Sequence, residues 1–183
     1  MDFRVLRDPD FPEHQLLASL YSKLHRVLVG RTTIQIAVSF PGYTLAPPQL
    51  GDRLRCIGTP PDLASLVALD WLGGMRSFVA ASTVSEVPVQ ATYRSLRRVQ
   101  AKSNPERLRR RQMRRHGITT EEARQRIPDA GAERLRLPFL QLSSSSTGQH
   151  FRLFLKLGPA ESAPVPGSFN AFGLSSTATI PVF

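Results

Sequence analysis

The sequence predicts an α+β fold, and three observations carry that expectation. Apolar residues alternate at period two in several short runs and recur at helical spacing in a longer segment. Over the first ninety residues these patterns follow one another in the order β-α-β-β-α-β. A second region then begins, dominated by a cationic helix and closed by further short strands.

Phe3 to Leu6 reads as the first strand. Pro12-Glu13 then opens a helix whose Leu16, Leu17, Leu20, Leu24, Val27 and Leu28 lie on one face. Ile34, Ile36, Val38 and Phe40 alternate with Gln35, Ala37 and Ser39, which predicts a half-buried strand ending at Pro41-Gly42. Arg53 to Ile57 is a weaker strand, Pro61 to Leu69 a short helix with Leu63, Leu66 and Val67 inward, and Phe78 to Val84 another strand. This order is that of a ferredoxin-like βαββαβ domain, placed at residues 1–90. The topology hosts many unrelated functions and settles none of them. Arg53-Leu54-Arg55-Cys56-Ile57 supplies no aromatic residue where an RNA-recognition sheet would carry its stacking platform, so that face is disfavoured as a binding surface.

Val87-Pro88-Val89 marks the boundary to a C-terminal domain at 91–183. Thr92 to Gln100 is extended and leads into a helix predicted over 104–116. Ser103 and Glu106 have the spacing of a capping box, Pro105 suits the first turn, and Gly117 is a natural C′ residue. Six arginines stand between Arg107 and Arg115. At about 100° per residue, Arg107, Arg110, Arg111, Arg114 and Arg115 share an arc of roughly 140°, with Arg109 and Met113 on the far side. Like charges three and four apart repel, so this face is costly alone and favourable against a polyanion. Thr119 and Glu122 form a second capping-box pair for a shorter helix that ends at Ile127-Pro128. From Pro138 the pattern is a strand, a serine-rich turn at Ser143 to Gly148, a strand through Phe151, Leu153, Leu155 and Leu157, and a final strand near Phe169 to Leu174.

Charge sharpens the class. The chain of 183 residues carries a formal +10, and Arg94 to Arg136 alone holds 14 Lys or Arg against 5 Asp or Glu. Such localisation is the footprint of a nucleic-acid site and not of a diffusely basic surface. Insertion into a membrane surface is disfavoured, since the arginine helix offers only Leu108 and Met113 as large apolar residues. No stretch has the length of a membrane span, and Asp2, Asp8 and Asp10 do not suit a signal peptide. The expectation is a soluble, cytoplasmic protein. Cys56 is the one cysteine, which excludes an intrachain disulfide and a cysteine-rich zinc site.

The acidic residues form no D-x-D and no H-E-x-x-H pattern, and Glu121-Glu122 is explained by its helix start, so neither a metal nor a cofactor is expected. RNA can still be cut through its own 2′-hydroxyl, given a base for its proton, donors for the phosphate and an aligned geometry. Four histidines are available. His14 reads as a solvated first-turn residue, His116 as a helix C-terminal cation able to touch phosphate, and His150 as part of a turn. His25 sits at the edge of the apolar stripe, either projecting from a rigid helix into a cleft or packed as a structural histidine.

The run Arg98-Val99-Gln100-Ala101-Lys102-Ser103-Asn104-Pro105-Glu106-Arg107-Leu108-Arg109-Arg110-Arg111, with Met113-Arg114-Arg115-His116, resembles the type I-F CRISPR repeat endoribonuclease family. Lys23-Leu24-His25, Arg126-Ile127-Pro128-Asp129, Ser146-Thr147-Gly148-Gln149-His150-Phe151-Arg152-Leu153-Phe154 and Phe172-Gly173-Leu174 resemble it in matching order, over essentially the whole chain. The resemblance implies that the arginine helix docks in the major groove of a CRISPR repeat hairpin, near a loop that relaxes the narrow A-form groove. It implies that Arg107, Arg110, Arg111, Arg114, Arg115 and His116 contact the RNA. Arg98 and Gln100 would read base edges, Ser146 and Thr147 would bind RNA, and Phe151 would stack under the last base pair. His25 and Ser144 match the catalytic histidine and the serine that holds the ribose. Phe172 stands where the family can carry a tyrosine, and lacks its hydroxyl. The implied activity is metal-independent cleavage of precursor CRISPR RNA at the 3′ base of the hairpin, leaving a 2′,3′-cyclic phosphate, with the guide retained. The alternative is a catalytically silent RNA anchor. Other subunits of a type I-F effector complex are the implied protein partners.

Overall fold

Alternation at Phe3 and Val5 buries one face of an opening strand and leaves Asp2 and Arg4 on the other, and the rest of the first sheet repeats that logic. A computed structural model describes residues 1–31, 35–100, 105–128, 135–144 and 148–183, with only the backbone of Arg107. Ile34, Ser103, Asn104, Ser146, Thr147 and the Arg107 side chain therefore lie outside the described residues.

Strand β1 (Asp2–Val5) is followed by helix α1 (Glu13–Gly30), strand β2 (Ala37–Ser39), a small hairpin of β3 (Thr44–Leu45) and β4 (Pro48–Gln49), strand β5 (Arg53–Ile57), helix α2 (Pro60–Ala68) and strand β6 (Val79–Ala81). The first sheet has the order β2-β5-β1-β6 with every pairing antiparallel, which is the ferredoxin-like arrangement. Register places Phe3 opposite Leu54 and Val38 opposite Cys56, so these side chains share a face. Leu17, Leu20 and Leu24 of α1 and Leu63 and Leu66 of α2 belong to the same core, and Trp71 meets Phe3 edge-on at 4.9 Å. Each buried leucine contributes about 2 kcal/mol of transfer free energy. Cys56 is fully enclosed, and burial pushes its thiol up to about 12. Thr59 caps α2 by accepting from the Asp62 amide, which starts that helix one residue earlier than its apolar pattern indicated.

Strands β7 (Thr92–Arg94) and β8 (Leu96–Val99) follow, then helices α3 (Pro105–His116) and α4 (Thr120–Arg126), and strands β9 (Phe139–Ser143), β10 (His150–Leu157) and β11 (Ile180–Val182). A second sheet has the antiparallel order β8-β10-β9, while β7 pairs with β11. Leu140, Leu142, Leu153 and Leu155 are buried on one face of the second sheet. Helix α1 packs against β1 and β5 and also against β9, so one apolar helix serves both sheets.

The final strand is not at 169–174, as the apolar pattern predicted, but at Ile180–Val182. Residues 170–174 form a tight turn organised by Asn170. Its Oδ1 accepts from the amides of Phe172 and Leu174, and its carbonyl accepts from Gly173. Gly173 has φ +68° and lies so close to β2 that an added Cβ would stand 2.8 Å from Val38 Cγ1 and 3.1 Å from the Ile36 carbonyl.

The chain forms two compact units, Met1–Val99 with Leu137–Phe183, and Gln100–Arg136. Within the smaller unit, Thr119 and Glu122 make the predicted reciprocal capping box of α4. Gly117 ends α3 at φ +63°, its amide bonded to the Met113 carbonyl.

Candidate active site

Helix periodicity puts Tyr21 and His25 one turn apart on α1, both facing the Asn170 turn. The buried Tyr21 hydroxyl donates to the Phe172 carbonyl at 2.8 Å, and His25 Nδ1 lies 2.8 Å from the Ala171 carbonyl. A carbonyl only accepts, so Nδ1 carries a proton, and in the neutral ring the lone pair lies on Nε2. The ring of Phe172 lies flat on the imidazole, with centroids 3.8 Å apart and planes 12° from parallel. One hydrogen bond and a stacked ring thus hold the half-buried His25, while the Tyr21 bond holds the turn it leans on. Burial drives the Tyr21 phenol far above its ordinary pKa, opposed only weakly by Arg98, so its hydroxyl remains a donor.

His25 faces an open cleft of about 1630 Å³, contained in the larger unit. Ser144, Phe151 and Phe172 line the same cleft, so both predicted catalytic residues and the predicted stacking aromatic come together there. Ser144 follows the end of β9. Its amide donates to the Gln149 carbonyl and its carbonyl accepts from the Gly148 amide, which ties Ser144 to the residues that lead into β10. Arg98 of β8 holds its guanidinium 5.7 Å from the Phe151 ring centroid. Lys23 lines the cleft while donating to the Gly73 carbonyl, and Arg26 and the exposed His14 line it too. An imidazole, a serine and several cations thus line one cleft, and these are the residue types that proton transfer beside a phosphodiester calls for.

The sequence reading missed the restraint on His25. Tyr21 and His25 are four apart, which is visible in the sequence, but their partners are main-chain carbonyls that no residue type announces. It also treated His150 as turn-shaping alone. The structure pairs His150 Nδ1 with the Ser143 hydroxyl at 2.8 Å across the β9–β10 ladder, and both residues border the cleft.

In the smaller unit, Arg110, Arg111, Arg114, Arg115 and His116 are exposed on α3, and Gln100 is exposed just before the undescribed stretch 101–104. Arg110 forms an i,i+4 ion pair with Glu106 at 2.8 Å, open to solvent. Arg109, alone on the opposite side, instead donates from Nε and Nη2 to the Ile127 carbonyl at 2.8 and 2.6 Å. It satisfies the C-terminus of α4 and favours that end of the helix dipole. One arginine is structural, and the described others point outward. No helix among the described residues is long and apolar enough to cross a membrane.

The family described as CRISPR-associated protein (Cas_Csy4) matches residues 1–183. The CRISPR-associated endonuclease Cas6/Csy4 of Pseudomonas aeruginosa (strain UCBPP-PA14) is 48% identical over 183 residues, covering 100% of this chain and 98% of that protein. The protein of the same name from Escherichia coli (strain UTI89 / UPEC) is 42% identical, with the same coverage. A whole-length family match and two whole-length relatives of this identity agree with the arginine helix and the histidine cleft: the chain belongs to the Cas_Csy4 family of CRISPR-associated proteins.

Proposed function

We propose that this chain is an endoribonuclease that binds the stem-loop of a CRISPR repeat and cuts precursor CRISPR RNA at the 3′ base of the hairpin, without a metal. The observation that carries the reading is the restrained His25, with Nε2 available in a cleft shared with Ser144 and Phe151. His25 Nε2 takes the proton of the 2′-hydroxyl, and the oxygen attacks the adjacent phosphorus. The bond to the 5′-oxygen breaks, and that oxygen takes a proton from solvent. The products are a 2′,3′-cyclic phosphate and a 5′-hydroxyl.

Ser144 holds the ribose in the reactive pose, and Phe151 stacks under the last base pair. Arg98 and Gln100 read base edges, while Arg107, Arg110, Arg111, Arg114, Arg115 and His116 grip the RNA, joined by Ser146 and Thr147. Many charge-assisted contacts make release slow, so the processed guide stays bound and joins the other subunits of a type I-F effector complex.

The test is His25→Ala assayed on a repeat hairpin in EDTA. Wild type is expected to cut. The variant should bind with unchanged Kd and cleave about 10²–10⁴-fold more slowly. Wild-type protein that binds but leaves the RNA whole under these conditions overturns the enzyme reading in favour of a silent anchor.

A further inference from the structure

The face of the β8-β10-β9 sheet opposite the buried leucines carries aromatic and cationic side chains. Register places Phe139 opposite Phe154, Gln141 opposite Arg152, and Ser143 opposite His150 on that face, with Val99 beside Phe154 and Arg97 beside Lys156. Phe139 is 40% exposed, and its ring centroid lies 5.3 Å from that of the half-buried Phe154. The Arg152 guanidinium stands over the Phe139 ring at 4.8 Å. Arg97, Arg152 and Lys156 are exposed, and none of the three strands contains an Asp or Glu.

We propose that this face is a stacking platform for single-stranded RNA flanking the hairpin. Unstacked bases settle on aromatic rings and on guanidinium planes, and cations beside the rings take the phosphates. A protein-docking surface is depleted of lysine and sets carboxylates among its cations at the rim, whereas here Arg97, Arg152 and Lys156 stand on strands that hold no carboxylate, which suits a polyanion. The platform is also continuous with the candidate active site. Phe139, Gln141, Ser143 and His150 belong to the outer face and line the His25 cleft as well, because β9 is the edge strand between them. A strand leaving the cleft over that edge arrives on the rings. The first sheet offers no such surface, since its Arg55 is buried and engaged by Asp2 and Phe183.

This inference rests on the reading of the cleft as the cutting site. Its test uses the full chain and three RNAs with deoxyribose at the attacking nucleotide: the bare hairpin, and the hairpin extended by eight nucleotides on its 5′ or its 3′ side. Each extension carries 2-aminopurine, and gels check that the RNA stays intact. One extension should tighten binding by about fivefold or more and show quenched fluorescence, and which of the two does so identifies the flank. Phe154→Ala should abolish the quenching. Arg97→Gln with Lys156→Gln should reduce the gain and its salt dependence, and all variants should hold the bare hairpin as wild type does. Equal affinity for bare and extended RNA, or a gain that survives both variants, overturns the proposal and leaves the face to a protein partner. Failure to bind the bare hairpin, or failure to cut the all-ribose form of the 3′-extended hairpin, instead overturns the function proposed above.

Discussion

The orientation of the His25 ring is set by main-chain atoms, and the proposed proton transfer would use the nitrogen they leave aside. His25 Nδ1 bonds the Ala171 carbonyl, while Tyr21, one turn earlier, holds the next carbonyl of the same turn. Phe172 brings no hydroxyl, but its flat contact with the imidazole shows that the ring contributes stacking. Tyr21→Phe leaves the Phe172 carbonyl without this donor. It should cost about 1–2 kcal/mol of stability and slow single-turnover cleavage, with hairpin Kd unchanged. Thermal melts and quenched-flow cleavage would read both effects, and an unaltered rate would mean the turn is held without this bond.

Helix α3 is the element whose sequence spoke most directly. Five cations on one arc, a proline in the first turn and a glycine at C′ predicted its extent and its solvent-facing side, and the described arginines follow that arc. Arg111→Ala and Arg115→Ala should each weaken hairpin binding and flatten the plot of log K against log salt by roughly one phosphate's share. A slope equal to that of wild type would remove these two from the interface. Local rules sufficed for the capping box of α4 and for the charge arc and C′ glycine of α3 because these features are short-range, while Ser103, and with it the Ser103–Glu106 pair, lies outside the described residues. They failed at 169–174, where Phe169, Phe172 and Leu174 are sheltered around a turn and imitate a strand, while the real strand is short and interrupted by Pro181. In the same way the donor set of His25 was legible on α1, and its acceptors, some 146 residues away in sequence, were not.

Across the whole molecule, the first strand and the last residue are tied by one cation. Arg55 donates from Nε and Nη2 to the two oxygens of Asp2 at 2.7 and 2.9 Å and from Nη1 to the Phe183 carbonyl, and it stacks on the Phe183 ring at 3.8 Å. Burial acts to raise the Asp2 pKa, but the hydrogen bonds and charges of Arg55 and Arg53 outweigh it and hold the carboxyl below its ordinary value. A depressed folded-state pKa contributes stability that is complete above the unfolded value of about 3.9 and is lost as pH falls through the folded value. Asp2→Asn should therefore lower Tm at neutral pH and shrink its decline in acid. A variant whose Tm follows wild type across that range would show the pair to be neutral. Deeper in the same sheet, the enclosure of Cys56 has a practical outcome. A maleimide can reach the chain's sole thiol only when the strands around it part, so the rate of alkylation serves as a built-in clock for global opening, and the native protein can be handled in air.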